Sequence, residues 1–262
     1  VTATDHTHVV VHPDADLLAR ATASRFLLAL IDAQSVTSPV HVALTGGSIL
    51  VDTLRAVAAD PLRDAVDWTS VHVWWGDERF APQGHPDRND GDAHAALFSA
   101  VPLPPENIHA VPGPDRVADV AAAARAYSEE LERYAPEGAR VPELAVVLLG
   151  MGPDGHVASL FPGRPSLDVD ALGALAETDS PKPPPERVSL TLPTLCSAHQ
   201  VWLVVSGEGK APAVAAALAG TSLPESQGGT DGGSSVPAGR VRARGRTLWL
   251  LDLPATTALP TA

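Results

Sequence analysis

Short apolar runs take turns with helix-like stretches along almost the whole chain, and this alternation restricts the fold more than any other feature. Val9-Val10-Val11, Val40 to Leu44, Val71 to Trp75, Leu144 to Leu149, Arg187 to Leu192, Val201 to Val205 and Thr247 to Leu251 have the length and residue types of strands. Between them lie four helical patterns. One starts after His12-Pro13-Asp14, with Leu17, Leu18, Ala21, Leu28 and Ile31 on one side. The second carries Leu50, Leu54 and Val57. The third is an Ala-rich stretch from Val117 to Tyr134, and the fourth runs from Lys210 to Leu218. Strands separated by helices predict an α/β fold: a mostly parallel sheet with helices on both faces, Rossmann-like and three-layered, with room for a small subdomain. Leu144 to Leu149 has no polar interruption, as expected of a strand covered on both faces. Two segments read as loops: proline-rich Ser180 to Glu186, expected to be extended, and Gly/Ser-rich Ser226 to Gly239. Neither separates regions of different composition, so residues 1–262 read as a single domain.

The formal net charge of −13 excludes whole classes of partner. A duplex or an anionic membrane surface would be repelled by that field, so neither nucleic acid nor membrane is expected. An anionic small molecule must instead be gripped by local cations and backbone amides. The single cysteine, Cys196, has no partner within the chain, which fits a reducing compartment. No run of about eighteen apolar residues occurs, and Val1 to His8 lacks a basic-then-apolar leader pattern. The expected location is cytoplasmic. A monomer or a weak homo-oligomer is the expected assembly.

Chemistry in such sheets gathers at the carboxyl ends of parallel strands, and four clusters fall there. Thr45-Gly46-Gly47-Ser48 joins a strand to a helix. Its glycines and the helix N-terminus can turn backbone N–H groups toward an anion, although a plain tight turn capped by Ser48 would read the same way. Trp75-Gly76-Asp77-Glu78-Arg79 brings three charges to a strand end, usually a solvated turn. Arg79 can also fork onto a phosphate, with Asn89 downstream to close the same pocket. Gly150-Met151-Gly152-Pro153-Asp154-Gly155-His156 places an acid and an imidazole two residues apart in a glycine-dense loop after a buried strand. His156 is a candidate base near neutral pH. Ser206-Gly207-Glu208-Gly209-Lys210 again opens a helix, where a cation is disfavoured by the dipole unless an anion sits above it. The third cluster also spells G-x-G-x-x-G. That fingerprint needs a continuous helix after its last glycine, and Pro162 follows too soon. Pro153 also lacks an N–H for a pyrophosphate.

Taken in order, these motifs resemble the 6-phosphogluconolactonase family, within the superfamily shared with glucosamine-6-phosphate deaminase and ribose-5-phosphate isomerase. The resemblance runs through Leu44 to Ser48, Trp75 to Arg79 with Asn89, Leu149 to Gly163, Arg187 to Pro193, Ser206-Gly207 with Lys210, and Leu248 to Asp252. It implies hydrolysis of 6-phospho-D-glucono-1,5-lactone without metal or cofactor, in the oxidative branch of the pentose phosphate pathway. His156 is then the catalytic base, supported by Asp154 or Asp77, which the sequence does not separate. Gly46, Gly47, Ser48, Arg79, Asn89, Arg187 and Lys210 become the substrate and phosphate positions, and backbone N–H groups of Gly152 and Gly155 the oxyanion donors. Two positions depart from the family pattern: Ile49 stands where Thr or Pro is usual, and Arg88 where Ser often precedes the asparagine.

Three rivals are weaker. A deaminase or isomerase on the same fold shares the glycine turn and the Asp-Gly-His loop, but its Asn-Glu-Pro-type tail is replaced here by Ala158-Ser159-Leu160-Phe161-Pro162-Gly163. A non-catalytic sugar-phosphate sensor would need neither Asp154 nor His156. A nicotinamide dehydrogenase lacks its fingerprint helix.

Overall fold

Along the chain the strands are β1 (Thr7–His12), β2 (Val40–Leu44), β3 (Val71–Trp75), β4 (Asp77–Arg79), β5 (Leu144–Leu149), β6 (Ala174–Glu177), β7 (Arg187–Leu190), β8 (Gln200–Val205) and β9 (Arg246–Asp252). The helices are α1 (Ala15–Gln34), α2 (Ser48–Ala59), α3 (Asn89–Ala96), α4 (Val120–Arg133), α5 (Leu192–Cys196), α6 (Ala211–Ala219) and α7 (Pro237–Arg240). The structure, a computed structural model, describes residues 7–220 and 236–260. Most of the Gly/Ser-rich segment therefore lies outside the described residues.

Six strands pair in parallel in the order β1-β9-β8-β5-β2-β3, with helices on both faces, as the alternation of patterns predicts. The chain leaves β2 toward β3 at one edge, then returns through β5 and moves the opposite way to β8 and β9. The order thus reverses between β2 and β5, and a crevice opens at their carboxyl ends. The expected small subdomain is an antiparallel sheet of order β4-β7-β6. Its strands carry weak sequence signals: β4 is three charged residues, and Arg187 to Leu192, expected as one strand, stops at Leu190. There Thr191 caps the short helix α5, with Pro193 in its first turn. Gly76 hinges the two sheets. Its N–H donates to Leu44 of β2 (2.7 Å), and its carbonyl accepts from Leu190 of β7 (2.8 Å).

The first helix starts where expected, with the Asp14 carboxylate accepting the N–H of Leu17 at 2.7 Å. Its buried face, however, is Leu18, Ala19, Thr22, Ala23, Phe26, Leu27 and Leu30. Leu28, expected inside, is half exposed. The helix is apolar on more than one side, so tertiary packing rather than periodicity chose the face. The Ala-rich helix is three residues shorter at its start than read, because Asp119 caps it through the N–H of Ala122.

At the amino ends of β2 and β3, His41, His72 and His109 stack among Trp74 and Tyr134. Burial holds His41 and His109 down at about 4 and lowers His72. His41 and His109 are thereby neutral core histidines, and the whole cluster lies at the opposite end of the sheet from the crevice.

Candidate active site

Two loops meet at the point where the strand order reverses, and one threonine ties them. Thr45, just past β2, donates its hydroxyl to the carbonyl of Leu148 (3.2 Å) and accepts the N–H of Gly150 (3.1 Å). The turn after β2 and the glycine loop after β5 are thereby held side by side. The second glycine of the turn, Gly47, takes φ +116° before α2 begins, a conformation open to glycine and strained for other residues.

The glycine loop is irregular from residue 150 to residue 164, with no helix after Gly155. The dinucleotide reading fails on that structural point as well as on Pro162. Within the loop, Nδ1 of His156 lies 2.5 Å from Oδ1 of Asp154. The imidazole rests against Phe161, ring centroids 4.6 Å apart. Burial alone would raise the Asp154 carboxyl. The hydrogen bond and charge of His156, with the charge of Lys182, instead pull it down to about 2. Asp154 is therefore a carboxylate at neutral pH. It accepts a hydrogen bond from Nδ1–H, which leaves Nε2 as the nitrogen with the free lone pair.

Asp77, the other carboxylate in question, is engaged elsewhere. Its Oδ2 accepts the hydroxyl of Ser159 at 2.7 Å, tying β4 to the far end of the glycine loop. The two glycines expected as oxyanion donors are also occupied. The N–H of Gly152 donates to the carbonyl of His156 (2.9 Å), and that of Gly155 to the carbonyl of Gly152 (3.0 Å). Both bonds shape the loop, so in this structure neither N–H group is placed as the expected oxyanion donor.

Beside the glycine turn is a pocket of about 370 Å³, with Gly47, Ser48, Arg55, Arg79 and Asn89 on its walls together with the carboxylates Asp52 and Asp92. Arg79 donates to the carbonyl of Asp87, while its buried Nε has no partner among the described residues. Asn89 donates to the carbonyl of Asp77 at 2.9 Å. Its Oδ1 fills the space where a side chain on Gly46 would begin, which is why that position takes glycine. Gly46, Gly47, Ser48, Arg79 and Asn89 are thus brought together as expected. Arg55 was missed. Its signal was helical: two turns beyond Ser48 on α2, it shares that residue's face. It pairs with Asp52 at 2.7 Å.

Lys210 and Arg187 are placed differently from the expectation. Lys210 precedes α6 and donates to the carbonyl of Met151 at 2.7 Å, on the glycine-loop side rather than on the walls of that pocket. Arg187 is buried. Its Nε donates to the carbonyl of Pro184, and its Nη2 to those of Lys182 and Pro183, at 3.0–3.2 Å. It braces the proline-rich loop instead of offering a free guanidinium fork. That loop is a series of bends rather than an extended run, and it carries a second missed residue. Lys182 is half buried and interacts electrostatically with Asp154 and Lys210. Burial lowers both lysines, each further by another cation, and Asp154 opposes the shift. A lysine set between prolines was its only sequence signal. Lys182 and Lys210 thus both interact electrostatically with the carboxylate that partners His156. No cluster of three or more His, Cys, Asp or Glu suited to a metal ion occurs among the described residues. No helix there is long and apolar enough to cross a membrane.

Comparison with known proteins gives three findings. The chain matches the family described as glucosamine-6-phosphate isomerases/6-phosphogluconolactonase over residues 13–249. It is 46% identical over 260 residues to the 6-phosphogluconolactonase of Streptomyces coelicolor, covering 98% of this chain and 96% of that one. It is 40% identical to that of Mycobacterium tuberculosis, over 96% and 98%. Among solved structures it is similar to the 6-phosphogluconolactonase of Trypanosoma brucei, with a TM-score of 0.77, 25% identity, and coverage of 98% and 100%.

Proposed function

The chain belongs to the glucosamine-6-phosphate isomerase/6-phosphogluconolactonase family, and from that premise we propose that it hydrolyses 6-phospho-D-glucono-1,5-lactone to 6-phosphogluconate in the pentose phosphate pathway. The observation that carries this reading is the His156–Asp154 pair, set in a glycine loop that accepts Lys210 and is tied through Thr45 to the turn lining the neighbouring pocket.

In the proposed reaction the phosphate binds among the Gly47 and Ser48 turn, Arg79 and Asn89, while Arg55 contributes positive charge. Lys210 reaches from the glycine-loop side. With the phosphate held, the lactone carbonyl lies beside His156. Nε2 removes a proton from water as the water oxygen bonds to C1. The resulting imidazolium is stabilised by the Asp154 carboxylate. Because the N–H groups of Gly152 and Gly155 are committed within the loop, the ammonium group of Lys182 is assigned the developing oxyanion charge. The C1–ring oxygen bond then breaks, and the imidazolium returns its proton to the departing ring oxygen.

The direct test is NMR of the phosphogluconolactone with and without the protein, with spontaneous hydrolysis subtracted. Acceleration is expected; a decay identical to the blank excludes the activity. Ammonia release from glucosamine 6-phosphate would favour the deaminase side of the family instead. Lys210→Ala is expected to raise KM for the phosphorylated lactone about tenfold, the scale of one charge-assisted hydrogen bond. Unphosphorylated gluconolactone should be affected much less. An equal loss on both substrates removes Lys210 from phosphate binding.

A further inference from the structure

Glu78 has no part in the chemistry above, yet it is the most deeply placed carboxylate near the site. Lying between Asp77 and Arg79 on β4, it is 0% exposed. A charge in such a place costs free energy unless it is well hydrogen-bonded. Here Oε1 accepts two backbone N–H groups, those of Arg79 and Asn89, each at 2.8 Å. Oε2 accepts that of Asp90 at 3.0 Å. Asn89 and Asp90 are the first residues of α3, so the carboxylate also sits at the positive end of a helix.

The surrounding charges are accounted for. The Arg88 guanidinium is 3.9 Å from Oε2 and pairs with Asp90 at 2.8 Å. Arg187 faces Glu78 from β7, and the buried Tyr127 hydroxyl feels it from α4. Arg88 is one of the two departures from the family pattern, and here it is buried as part of this network. Burial pushes the Glu78 carboxyl up to about 7. Arg88 and the N–H groups of Asn89 and Arg79 oppose the shift, and Asp90 adds to it.

We propose that Glu78 is the positioning residue of the anion pocket, its carboxylate clamping β4 to the start of α3 so that Arg79 and Asn89 face the Gly46-Gly47-Ser48 turn. The inference rests on the anion-binding reading above and deepens it. One oxygen fixes the backbones of both pocket residues, while Asn89 fills the space over Gly46. Glutamine would keep the shape but not the bonding. Both carboxylate oxygens accept backbone N–H groups, so an amide nitrogen at either place meets a donor with a donor.

Glu78→Gln is expected to raise KM for the phosphorylated lactone about tenfold with kcat within about twofold, and to leave kcat/KM for unphosphorylated gluconolactone unchanged. An unchanged KM, or equal losses on both lactones, overturns the proposal. A second reading needs no variant and no catalysis, so it also separates this inference from failure of the lactonase reading. Sulfate serves as a probe whose charge is constant from pH 8 to 6. Its affinity is read from the Gly47 and Ser48 amide resonances of the wild-type protein. Protonation of Glu78 should move the Arg79, Asn89 and Asp90 amides together and weaken sulfate at the same midpoint. Mere loss of a negative charge would tighten sulfate. Tightening, or an affinity flat through that midpoint, therefore overturns the clamp.

Discussion

His156→Ala is expected to lower kcat by about 10²–10⁴, the usual cost of losing a general base, while 6-phosphogluconate binds nearly as before. The separation follows from the two-part site. The imidazole stands in the glycine loop, and Gly47, Ser48, Arg79 and Asn89 line the neighbouring pocket. Stability should change little, because the ring is held by one carboxylate and one aromatic contact at the crevice rather than by the core. The check is kcat after subtraction of spontaneous hydrolysis, together with calorimetric titration of 6-phosphogluconate. Turnover close to wild type would remove His156 from the chemistry. Loss of product binding in parallel would mean that the ring serves the ligand instead of the reacting water.

Gly152→Ala is expected to be nearly as damaging without removing any functional group. A methyl at this position would overlap Nδ1 and Cε1 of His156 and Oδ1 of Asp154. The pair would have to move, and a displacement on the order of 1 Å at a reacting group costs about 10²-fold in rate. Gly152 N–H also donates to the His156 carbonyl, so the shift would be passed to the loop backbone. Expected results are a kcat reduced about a hundredfold, product affinity retained, and a thermal midpoint within a few degrees of wild type. Wild-type kcat in a folded Gly152→Ala protein would show that the His156–Asp154 geometry does not limit the rate.

Much of the site was legible as spacing. The turn after β2, the charged end of β3 and the loop after β5 could be named because parallel-sheet folds place such loops at strand carboxyl ends. Gly47, Ser48, Arg79 and Asn89 do share a pocket. What was not legible depended on contacts between distant segments. Lys182 stands 28 residues beyond Asp154 in a loop with no recognisable period, and only the brace from Arg187 shows how that loop is held. Arg187 and Lys210 looked like free cations in the sequence, but each donates to backbone carbonyl groups. The N–H groups of Gly152 and Gly155 close the loop on itself, because a glycine-dense turn must satisfy its own backbone.

By itself the sequence determined the alternation of strands and helices, hence the parallel sheet. It also determined the motif order that marks the family, and the presence of an acid and an imidazole in one loop. These are local properties: periodicity, capping and the residue types at turns. Tertiary structure decided which carboxylate meets His156. Asp154 and Asp77 were equivalent on paper. The fold turns Asp77 toward Ser159 and leaves Asp154 at hydrogen-bond distance from Nδ1. It also gave the buried Glu78 three backbone partners from two elements. A hydrogen bond requires two atoms within about 3 Å of each other. For residues on different strands and loops, that distance is set by packing and not by position in the chain.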